Sequence, residues 1–438
     1  MRTILRRFLI LIFGIAAGTQ AKALPAFPGA EGFGAQTPGG RGGKVIPVVN
    51  LNDAGPGSLR AACEAEGPRI VLFRVGGVID LKSEVKVNKP YLTLTGQTAP
   101  GDGICLRGYG FMVKAHDVVV RYLRSRPGTG SGKEVDAIGI DSGSHNVILD
   151  HCSATWAVDE NLSPSGSISN ITVQWCLIAE GLKNSIHHKG AHSYGSLVRA
   201  VGGISLHHNL WAHNNGRNPR LGDDYGKLPY PTFDVRNNMV YNYGEACSGM
   251  TGDHLDANYV ANYIRPGIDS QRKRGVIVFT DTAATRFFVD GNTVEGNKAA
   301  TRNNGLLFDR TEFKGRKLVT RQFEPFAVPE VSTVAAAEAF KEVLEKVGAI
   351  LPVRDAVDKR IVYSVREGTG HIIDSPNQVG AWPAYRDGTP PKDSDGDGMP
   401  DEWENRNQLN PQDPTDANMA PDGEGYTNIE KYLNETQP

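Results

Sequence analysis

A short strand pattern recurs through the middle of this 438-residue chain and constrains its fold more than any other feature. Each copy alternates β-branched or other apolar residues with polar ones, which is typical of a half-buried strand. The copies end at positions 123, 152, 176, 209, 238, 262 and 292, and the last four of these residues are asparagines. A strand repeat of this period, with variable insertions, predicts a parallel β-helix whose coils stack on one another.

Composition and the recurring asparagine support the same fold class. The chain contains 51 glycines, which suits many short turns better than long helices. Asparagine side chains at equivalent positions of stacked coils can hydrogen-bond up the stack. We therefore expect an all-β chain, a right-handed parallel β-helix over about residues 27–330. The alternative is a β-sandwich with loops of unequal length.

The flanking segments predict covers for such a solenoid. Ser58 to Cys63 is expected to form a short capped helix near the N-terminal end. Residues 333–347 predict a helix that ends at Gly348 and packs on the side or the C-terminal end, with one apolar face formed by Val334, Ala337, Phe340, Leu344 and Val347. The five cysteines have no paired spacing, so Cys152 and Cys176 are expected to be buried, stacked thiols.

Both ends of the chain differ from its body. Residues 1–23 have basic residues, a short apolar core and a small-residue cleavage pattern, which predict an export signal. No later run is long and apolar enough to suggest a membrane span. We expect a domain at 24–387 and, after a Pro/Gly linker, an acidic tail at 388–438. The mature protein is expected to be secreted, either extracellular or periplasmic.

The tail predicts calcium binding. Residues 393–438 contain twelve acidic and two basic residues, whereas residues 24–392 carry a net charge of +4. Acidic residues at loop positions 1, 3, 5, 9 and 12, with glycine at position 6, match a twelve-residue Ca²⁺ loop: Asp393, Asp395, Asp397, Asp401 and Glu404. A second, less regular site is suggested by Asp413, Asp416, Asp422, Glu424 and Glu430.

Charged residues of both signs converge if the coils stack. Equivalent loops of successive coils lie about 5 Å apart, so residues one coil apart become neighbours. This stacking predicts one lateral face that carries Glu134, Asp136, Asp159, Glu160, Lys189, Arg217 and Arg220. Carboxylates beside basic residues make a site where Ca²⁺ bridges to an anion. The alternatives are ordinary surface ion pairs and a zinc site built from His187, His188 and His192, for which the sequence places no acidic partner.

Three segments of this face resemble the pectate lyase family, the first family of polysaccharide lyases. They are NVILDHCS at 146–153, LHHNLWAHN at 206–214 and RNPRLG at 217–222. The resemblance runs from Phe27 to about Trp382, and the tail resembles thrombospondin-type-3 or dockerin-like calcium repeats. The body of the chain most resembles the bacterial and fungal subgroup of the family, which has segments like Ala179–Leu182 and His192–Leu197.

The resemblance implies Ca²⁺-assisted β-elimination of α-1,4-polygalacturonate to 4,5-unsaturated products. Arg217 matches the arginine that removes the C5 proton, and Lys189 resembles the lysine that holds a substrate carboxylate. Asp136 resembles a calcium ligand, and Glu134, Asp159 and Glu160 are the further expected ligands. Gly222 stands where the family motif has a second arginine, so Arg220, two residues earlier, is the candidate replacement for substrate binding.

Other functions remain open from the residues alone. A polygalacturonase-type hydrolase would use paired carboxyl groups, but the residue series of that class is missing from the sequence. A lyase for methyl-esterified pectin would need neither Asp136 nor Lys189. A non-catalytic β-helix that binds pectin or mediates adhesion would have no use for Arg217 beside acidic residues. The expected partner is polygalacturonate rather than nucleic acid, and the chain is expected to be a monomer.

Overall fold

A computed structural model describes residues 24–252, 254–271, 276–280, 282–420, 423 and 425–435. The predicted export signal, together with Asp422 and Glu424 of the second tail site, lies outside these residues. Through the described body, parallel strands wind into about nine coils with three faces. The predicted parallel β-helix is therefore confirmed. Among the described helices, none combines the length and the apolar character that crossing a bilayer requires.

Three stacks of parallel strands form the faces of the solenoid. The long sheet has eleven strands: Lys44–Val48, Arg69–Phe73, Leu92–Thr95, Val118–Arg121, His145–Asp150, Ser169–Gln174, Gly203–His207, Thr232–Arg236, Leu255–Val260, Thr285–Asp290 and Val319–Arg321. The second sheet has nine: Gly77–Asp80, Ile104–Arg107, Arg124–Arg126, Ser153–Thr155, Leu177–Ala179, Leu210–Ala212, Met239–Tyr241, Tyr263–Arg265 and Thr293–Val294.

The third face consists of two four-stranded sheets in succession. The first contains Val85–Val87, Phe111–Val113, Ile138–Ile140 and Leu162–Pro164. The second contains Leu197–Ala200, Arg220–Asp223, Ser248–Thr251 and Ile277–Phe279. A bridge between Ser165 and Arg199 joins the two, so the face continues along the solenoid. A small antiparallel hairpin, Glu312–Phe313 with Arg316–Lys317, lies outside the coils.

The strand register places like residues above one another and fills the interior. Leu94, Val120, Leu149, Val173 and Leu206 are direct neighbours on successive strands of the long sheet. All five belong to one buried cluster that runs through the coils. Because the side chains of a strand alternate between its two faces, the residues between them point outward and remain available to surface loops.

The recurring asparagines form the predicted ladder. The Oδ1 atom of Asn238 accepts hydrogen bonds from the backbone N–H and the side-chain amide of Asn209, at 2.9 and 3.1 Å. Asn262 accepts the same pair from Asn238, and Asn292 accepts it from Asn262. Each amide is buried and fully used, which satisfies polar groups that the turns would otherwise leave without partners.

The ladder continues toward the N-terminus through thiols and an aromatic stack. Cys176 donates its backbone N–H to Asn209, and Cys152 donates its own to the sulfur of Cys176. All five cysteines are free and buried, and burial had been expected for Cys152 and Cys176. The residue before each ladder position has a left-handed backbone, for example His151 at φ 51° and Trp175 at φ 52°. Their rings stack with centroids 5.9 Å apart along the corner.

In the part of the chain that the structure describes, six α-helices cover the solenoid or belong to the tail. They are Leu59–Glu64, Lys298–Arg302, Ala336–Lys346, Ala356–Glu367, Asp401–Arg406 and Asn428–Glu435, with 3₁₀ turns at Gly96–Thr98, Asn304–Leu307, Pro376–Val379 and Asp416–Asn418. The first is capped by the side chain of Ser58, as predicted. The helix predicted at 333–347 starts three residues later. Its buried face contains Ala339 rather than Ala337, and it packs with Ala356–Glu367 against the second sheet.

The acidic tail packs against the beginning of the solenoid. Met399, Trp403, Ile429 and Leu433 form an apolar cluster with Ile70 on the outer face of the long sheet. Arg41 of the body pairs with Glu430 at 2.8 Å, and Arg74 lies 3.6 Å from Asp393. The described part of the tail thus packs on the first two strands, where outward-facing apolar side chains need a cover.

Candidate active site

The loops that connect the second sheet to the third face stack into one corner of the solenoid. The backbone N–H of Ala137 bonds to the carbonyl of Glu160, and isolated bridges join Glu160 to Tyr194 and Tyr194 to Gly216. Four successive loops are therefore held in register. Side chains that are far apart in sequence meet because each coil supplies one of them to the same corner.

Three carboxylates meet at this corner. Asp136, Asp159 and Glu160 each place an oxygen within 4.8 Å of the others. The backbone N–H of Glu160 donates to Oδ1 of Asp136 at 2.9 Å. Burial, Asp159 and Glu84 together raise the pKa of Asp136 well above its ordinary value. The cluster therefore holds more negative charge than its surroundings balance, and oxygen ligands of this kind suit a hard divalent cation.

Arg217 reaches the carboxylate cluster from a coil farther along the solenoid. Its Nη1 atom contacts Oε1 of Glu160, and its guanidinium lies over the ring of Tyr194, 4.0 Å from the centroid. The backbone is left-handed here, with φ 57°, which turns the side chain toward the corner. Burial and the charge of Arg220 lower the pKa of Arg217 to about 10. A guanidinium with a depressed pKa beside carboxylates can exchange a proton more readily than a free one.

Arg220 begins the next strand and projects outward beside Arg217. Burial and the charge of Arg199 lower its pKa. A pocket of about 190 Å³ is lined by both arginines together with Tyr194, Glu245 and Met250. Arg217 and Arg220, which were predicted to lie on one face, thus line the same pocket.

Glu134, in contrast, lies outside the carboxylate cluster. Its carboxylate accepts the backbone N–H of His188 at 2.7 Å and lies 2.8 Å from that residue's Nδ1. These hydrogen bonds lower the pKa of Glu134. The expected four-ligand set is therefore reduced to three in this geometry, because His188 holds Glu134 at the rim.

The histidines of the long loop surround Asp159. Nε2 of His192 lies 3.0 Å from Oδ1 of Asp159, and Nε2 of His187 lies 3.7 Å from the same oxygen. Burial alone would raise the pKa of Asp159, but the hydrogen bond and charge of His192 lower it. The structure thus places two acidic residues, Asp159 and Glu134, beside the histidines of the alternative zinc site, for which the sequence had indicated none.

Lys189 is exposed, and the structure does not bring its ammonium group to the carboxylates. Its backbone N–H bonds to Nδ1 of His187, at 3.1 Å. Among the described residues, its side chain forms no hydrogen bond or ion pair. The motif residue Asp150 is also separate from the site, because it is buried in the long sheet and pairs with Arg121 at 2.8 Å.

Tyr194 was not singled out from the sequence, although it contacts the central arginine. It lies in the segment HSYGSL, whose resemblance to one subgroup was the available signal. A strand repeat does not identify which loop residue reaches the corner, since the loop between residues 180 and 196 is an insertion of variable length. The contact between Tyr194 and Arg217 therefore becomes visible only when the coils are stacked in the structure.

The tail contains a second group of carboxylates. Asp393, Asp395 and Asp397 meet within 4.8 Å, and Asp397, Glu404 and Asp416 do the same. Burial and the neighbouring acids raise the pKa of Asp397 and of Glu404 to about 7. Several of these carboxylate oxygens are buried and accept no hydrogen bond within the described residues. Buried oxygens without hydrogen-bond donors are suited to bind a cation.

The loop geometry differs from the expected ligand set at one position. Asp401 is held outside the group by Lys392, at 2.7 Å, and by the hydroxyl of Ser394, at 2.8 Å. Asp416, which the sequence assigned to a second site, takes the place beside Glu404. Of the other predicted members of that second site, Asp413 bonds to Thr415 and Glu430 bonds to Thr427. The described acidic residues of the tail thus form one cluster, and Asp422 and Glu424 of the predicted second site lie outside the described residues.

Comparison with known proteins identifies the family. No family model matches the chain. A protein of Aspergillus oryzae described as probable pectate lyase C is 38% identical over 424 residues, covering 95% of both chains. A protein of the same description from Neosartorya fischeri is 39% identical over 437 residues, covering 98% of both.

A solved structure supports the fold. The crystal structure of Jun a 1, the major allergen from cedar pollen, matches with a TM-score of 0.54 and 16% identity, covering 73% of this chain and 92% of the allergen. This likeness concerns the solenoid alone. The identity to the fungal proteins, which extends over nearly the whole length of both chains, carries the family assignment: this chain belongs to the pectate lyase family.

Proposed function

We propose that the chain cleaves α-1,4-polygalacturonate by calcium-assisted β-elimination and releases 4,5-unsaturated oligogalacturonates. The observation that carries this proposal is the contact of Arg217 with Glu160, directly beside the cluster of Asp136 and Asp159. A basic group and a set of hard oxygen ligands then face the same substrate position. The fungal relatives described as probable pectate lyases support the same reaction.

The carboxylate cluster fits a calcium ion. Asp136, Asp159 and Glu160 would supply three of the six to eight oxygens that Ca²⁺ prefers, and substrate carboxylate and water would supply the rest. Burial and the carboxylate of Asp159 raise the pKa of Asp136, so a cation held among these groups would favour their ionised forms. When bound there, Ca²⁺ would withdraw charge from the uronate carboxylate and so acidify the neighbouring C5 proton.

Arg217 is the proposed base. Its neutral guanidine would accept the C5 proton, the electrons of the C5–H bond would form the C4–C5 double bond, and the C4–O4 bond would break. The departing oxygen then takes a proton from solvent, so atoms and charge balance. Burial and Arg220 favour the neutral form, whereas Asp159 and Asp136 oppose it. The ring of Tyr194 lies against the guanidinium and limits its movement.

Arg220 and Lys189 are the proposed substrate contacts. Arg220 lies in the pocket beside the base and can take a carboxylate through a bidentate pair. Lys189 stands on the exposed rim of the loop, so its long side chain can turn toward a bound chain. Its role also includes stabilising the charge that develops on the uronate as the C5 proton leaves.

We further propose that the tail binds Ca²⁺ and that the protein is exported as a monomer. The buried carboxylate oxygens without partners support the first point, with Asp393, Asp395, Asp397, Glu404 and Asp416 as ligands. Asp401 would act only through water. The signal pattern in residues 1–23 supports export. Polygalacturonate, rather than nucleic acid, remains the proposed partner of the cleft.

The decisive experiment analyses the products of polygalacturonate with and without a chelator. The proposal expects ultraviolet absorbance from a double bond conjugated to a carboxylate, and its loss when Ca²⁺ is removed. Saturated reducing ends without that absorbance would identify a hydrolase. Binding without any product would identify a non-catalytic β-helix, and preference for methyl-esterified pectin without Ca²⁺ would identify the other lyase class.

A further inference from the structure

The outer side of the third face carries a positive strip beyond the carboxylate cluster. Strand register aligns Arg220 with Leu197 and Gly249, and aligns Arg199 with Gly222 and Thr251. Since alternate residues point the same way, Arg199 and Arg220 both face outward, and their inward neighbours Val198 and Leu221 lie in the core. The two side chains thus lie on one surface. Strand geometry places the Cα atoms of the two arginines about 8 Å apart.

Neither arginine is neutralised. Among the described residues, no carboxylate oxygen lies within ion-pair distance of Arg199 or Arg220, although Glu245 lines the pocket beside Arg220. Arg199 is 91% buried as a residue, and its Nε atom has no hydrogen-bond partner. Its Nη1 atom donates to the carbonyl of Asp223 at 2.7 Å, which fixes the group in place. A buried cation with an unused donor points to an anionic or π-electron partner.

Tyr225 is that partner. One face of its ring lies against Arg199, and the other face is exposed to solvent. Its ring centroid lies 4.0 Å from the guanidinium carbon of Arg199, yet the residue is 77% exposed. Its left-handed backbone, φ 52°, is held by the next residue, Gly226, whose N–H donates to Asp223 at 2.7 Å. A large ring fixed against a cation on one face presents its second face to solvent as a flat apolar surface.

This ring lies on the same face of the solenoid as Arg220, which lines one pocket with the proposed base. The strand that Arg220 begins ends at Asp223, so the loop with Tyr225 lies across the third face from the loop with Arg217. Tyr225 covers Arg199, Arg199 lies one strand from Arg220 on the same outward surface, and Arg220 lines one pocket with Arg217. A substrate chain that extended from the base past Arg220 would therefore meet the exposed aromatic ring.

We propose that Tyr225, positioned by Arg199, is a stacking platform for one galacturonate ring of the substrate, whose carboxylate is taken by Arg220. The apolar C–H face of a pyranose matches an aromatic ring, and a uronate carboxylate matches an unpaired guanidinium. This inference rests on the proposed function and adds a subsite that sets the affinity for the polysaccharide. Arg199 is a positioning residue and does not contact the sugar.

The test compares Tyr225→Ala, Tyr225→Phe and wild type on polygalacturonate at saturating Ca²⁺. The alanine variant is expected to raise KM about three- to tenfold, the worth of one aromatic contact, with kcat changed less than twofold. The phenylalanine variant keeps the ring and is expected to stay near the wild-type KM. Tyr363→Ala is the matched control, because Tyr363 is 61% exposed on the helix Ala356–Glu367, away from the cleft.

The positioning role has its own readout. Arg199→Leu should raise KM as Tyr225→Ala does, and the double variant should be no worse than the single ones, since both remove the same platform. An unchanged KM in Tyr225→Ala, or an equal rise in Tyr225→Phe or Tyr363→Ala, would overturn the proposal. Additive losses in the double variant would overturn the role of Arg199.

Direct binding separates this subsite from the reaction itself. Calorimetric titration with saturated trigalacturonate, in an Arg217→Lys background with Ca²⁺, should show the same three- to tenfold weakening for Tyr225→Ala. If wild type gave no unsaturated product but this weakening persisted, the proposed reaction would fail and the subsite would stand. Equal affinities with and without the ring would refute the subsite while leaving the lyase reaction intact.

Discussion

Nε2 of His192 lies 3.0 Å from Oδ1 of Asp159, one of the three clustered carboxylates. The carboxylate therefore faces an imidazole nitrogen as well as the carboxylate oxygens of Asp136 and Glu160, and all of these atoms could bind a metal. Nitrogen ligands favour zinc and related ions, whereas oxygen ligands favour Ca²⁺. This juxtaposition makes the identity of the metal the first question for experiment.

Ca²⁺, and not Zn²⁺, should restore activity to chelated enzyme. The cluster beside Arg217 contains only oxygen ligands, and Asp136→Ala should raise the Ca²⁺ concentration needed for half-maximal activity about tenfold or more, because one of three charged ligands is lost. Activity is followed by ultraviolet absorbance at stepped Ca²⁺ concentrations. Glu134→Ala is the matched control, since His188 holds that carboxylate at the rim. Unchanged Ca²⁺ dependence in Asp136→Ala would make the ligand assignment wrong.

Arg217→Lys should lower kcat by roughly 10²–10⁴-fold, the usual worth of a positioned proton acceptor. Lysine keeps the positive charge but loses the planar group that contacts Glu160 and lies over Tyr194, so KM should change little. Steady-state kinetics on polygalacturonate measure both constants. Arg286→Lys is the control and should behave as wild type, because Arg286 forms an exposed ion pair with Asp256. A substantially active Arg217→Lys enzyme would move the role of base to Arg220.

The turnover rate should rise with pH through the alkaline range. A proton acceptor must be neutral, and the guanidinium of Arg217 loses its proton more easily than a free one because burial and Arg220 lower its pKa. Below that pKa the neutral fraction grows about tenfold for each pH unit, so log kcat should rise with a slope near one. Rates are measured at saturating Ca²⁺. A profile that is flat or falls from pH 7 to pH 9 would exclude Arg217 as the base.

Ca²⁺ should stabilise the protein against heat more at pH 8 than at pH 5. The pKa of Asp397 and of Glu404 is raised to about 7 in the folded tail, above the ordinary values of 3.8 and 4.5. Without metal, folding therefore loses stability as pH rises from about 4 to about 7, because the folded tail must then hold ionised neighbours. A bound cation removes that penalty. Calorimetric scans with Ca²⁺ or chelator at both pH values measure the difference.

A chain that ends at residue 390 provides the control for that measurement. It should keep turnover on soluble polygalacturonate and lose the dependence of its melting temperature on Ca²⁺ at low metal concentration. Its melting temperature should fall, since Ile70 loses the apolar cover that Met399 and Trp403 provide. Complete loss of turnover in a folded, truncated protein would show that the tail is required for catalysis.

Asn238→Ala should lower the free energy of unfolding by about 2 kcal/mol or more, because each buried polar group left without a partner costs roughly 1–3 kcal/mol. Asn238 accepts the backbone N–H and the side-chain amide of Asn209 and donates to Leu206 and Asn262; the substitution removes these four hydrogen bonds and leaves the buried backbone N–H of Asn209 without an acceptor. Chemical denaturation measures the change. Asn88→Ala, at an exposed loop position, is the control and should lie within about 0.5 kcal/mol of wild type. Equal stability of the two variants would contradict a structural role for the ladder.

Much of the solenoid followed from local sequence. Alternation within each strand and the spacing of Asn209, Asn238 and Asn262 reflect the period of one coil, so they predict stacking directly. The helix near residue 340 was displaced by a few residues because Ala337 and Ala339 are equally compatible with helical periodicity, and only contact with the second sheet decides which is buried.

The site could be predicted less completely. Asp136 and Arg217 lie in recognisable segments, but Glu134 was expected to ligate and instead meets His188 of a loop two coils away. In the tail, the spacing rule assigned Asp401, whereas an ion pair with Lys392 holds it aside and Asp416 takes its place. Spacing identifies residues that can reach a point, and it does not describe competing partners from elsewhere in the chain.

The docking of the tail on the first two strands has a consequence for how the protein would unravel. In a solenoid each coil contacts only its neighbours, so fraying starts at the ends. Here Arg41, near the N-terminal end, is tied to Glu430, near the C-terminal end, and Ile70 is buried beneath Trp403. The first coil therefore cannot unfold until the tail has dissociated from it. With Ca²⁺ bound to the tail, as proposed above, resistance to an added protease would then depend on the Ca²⁺ concentration, although the proposed active site is several coils distant.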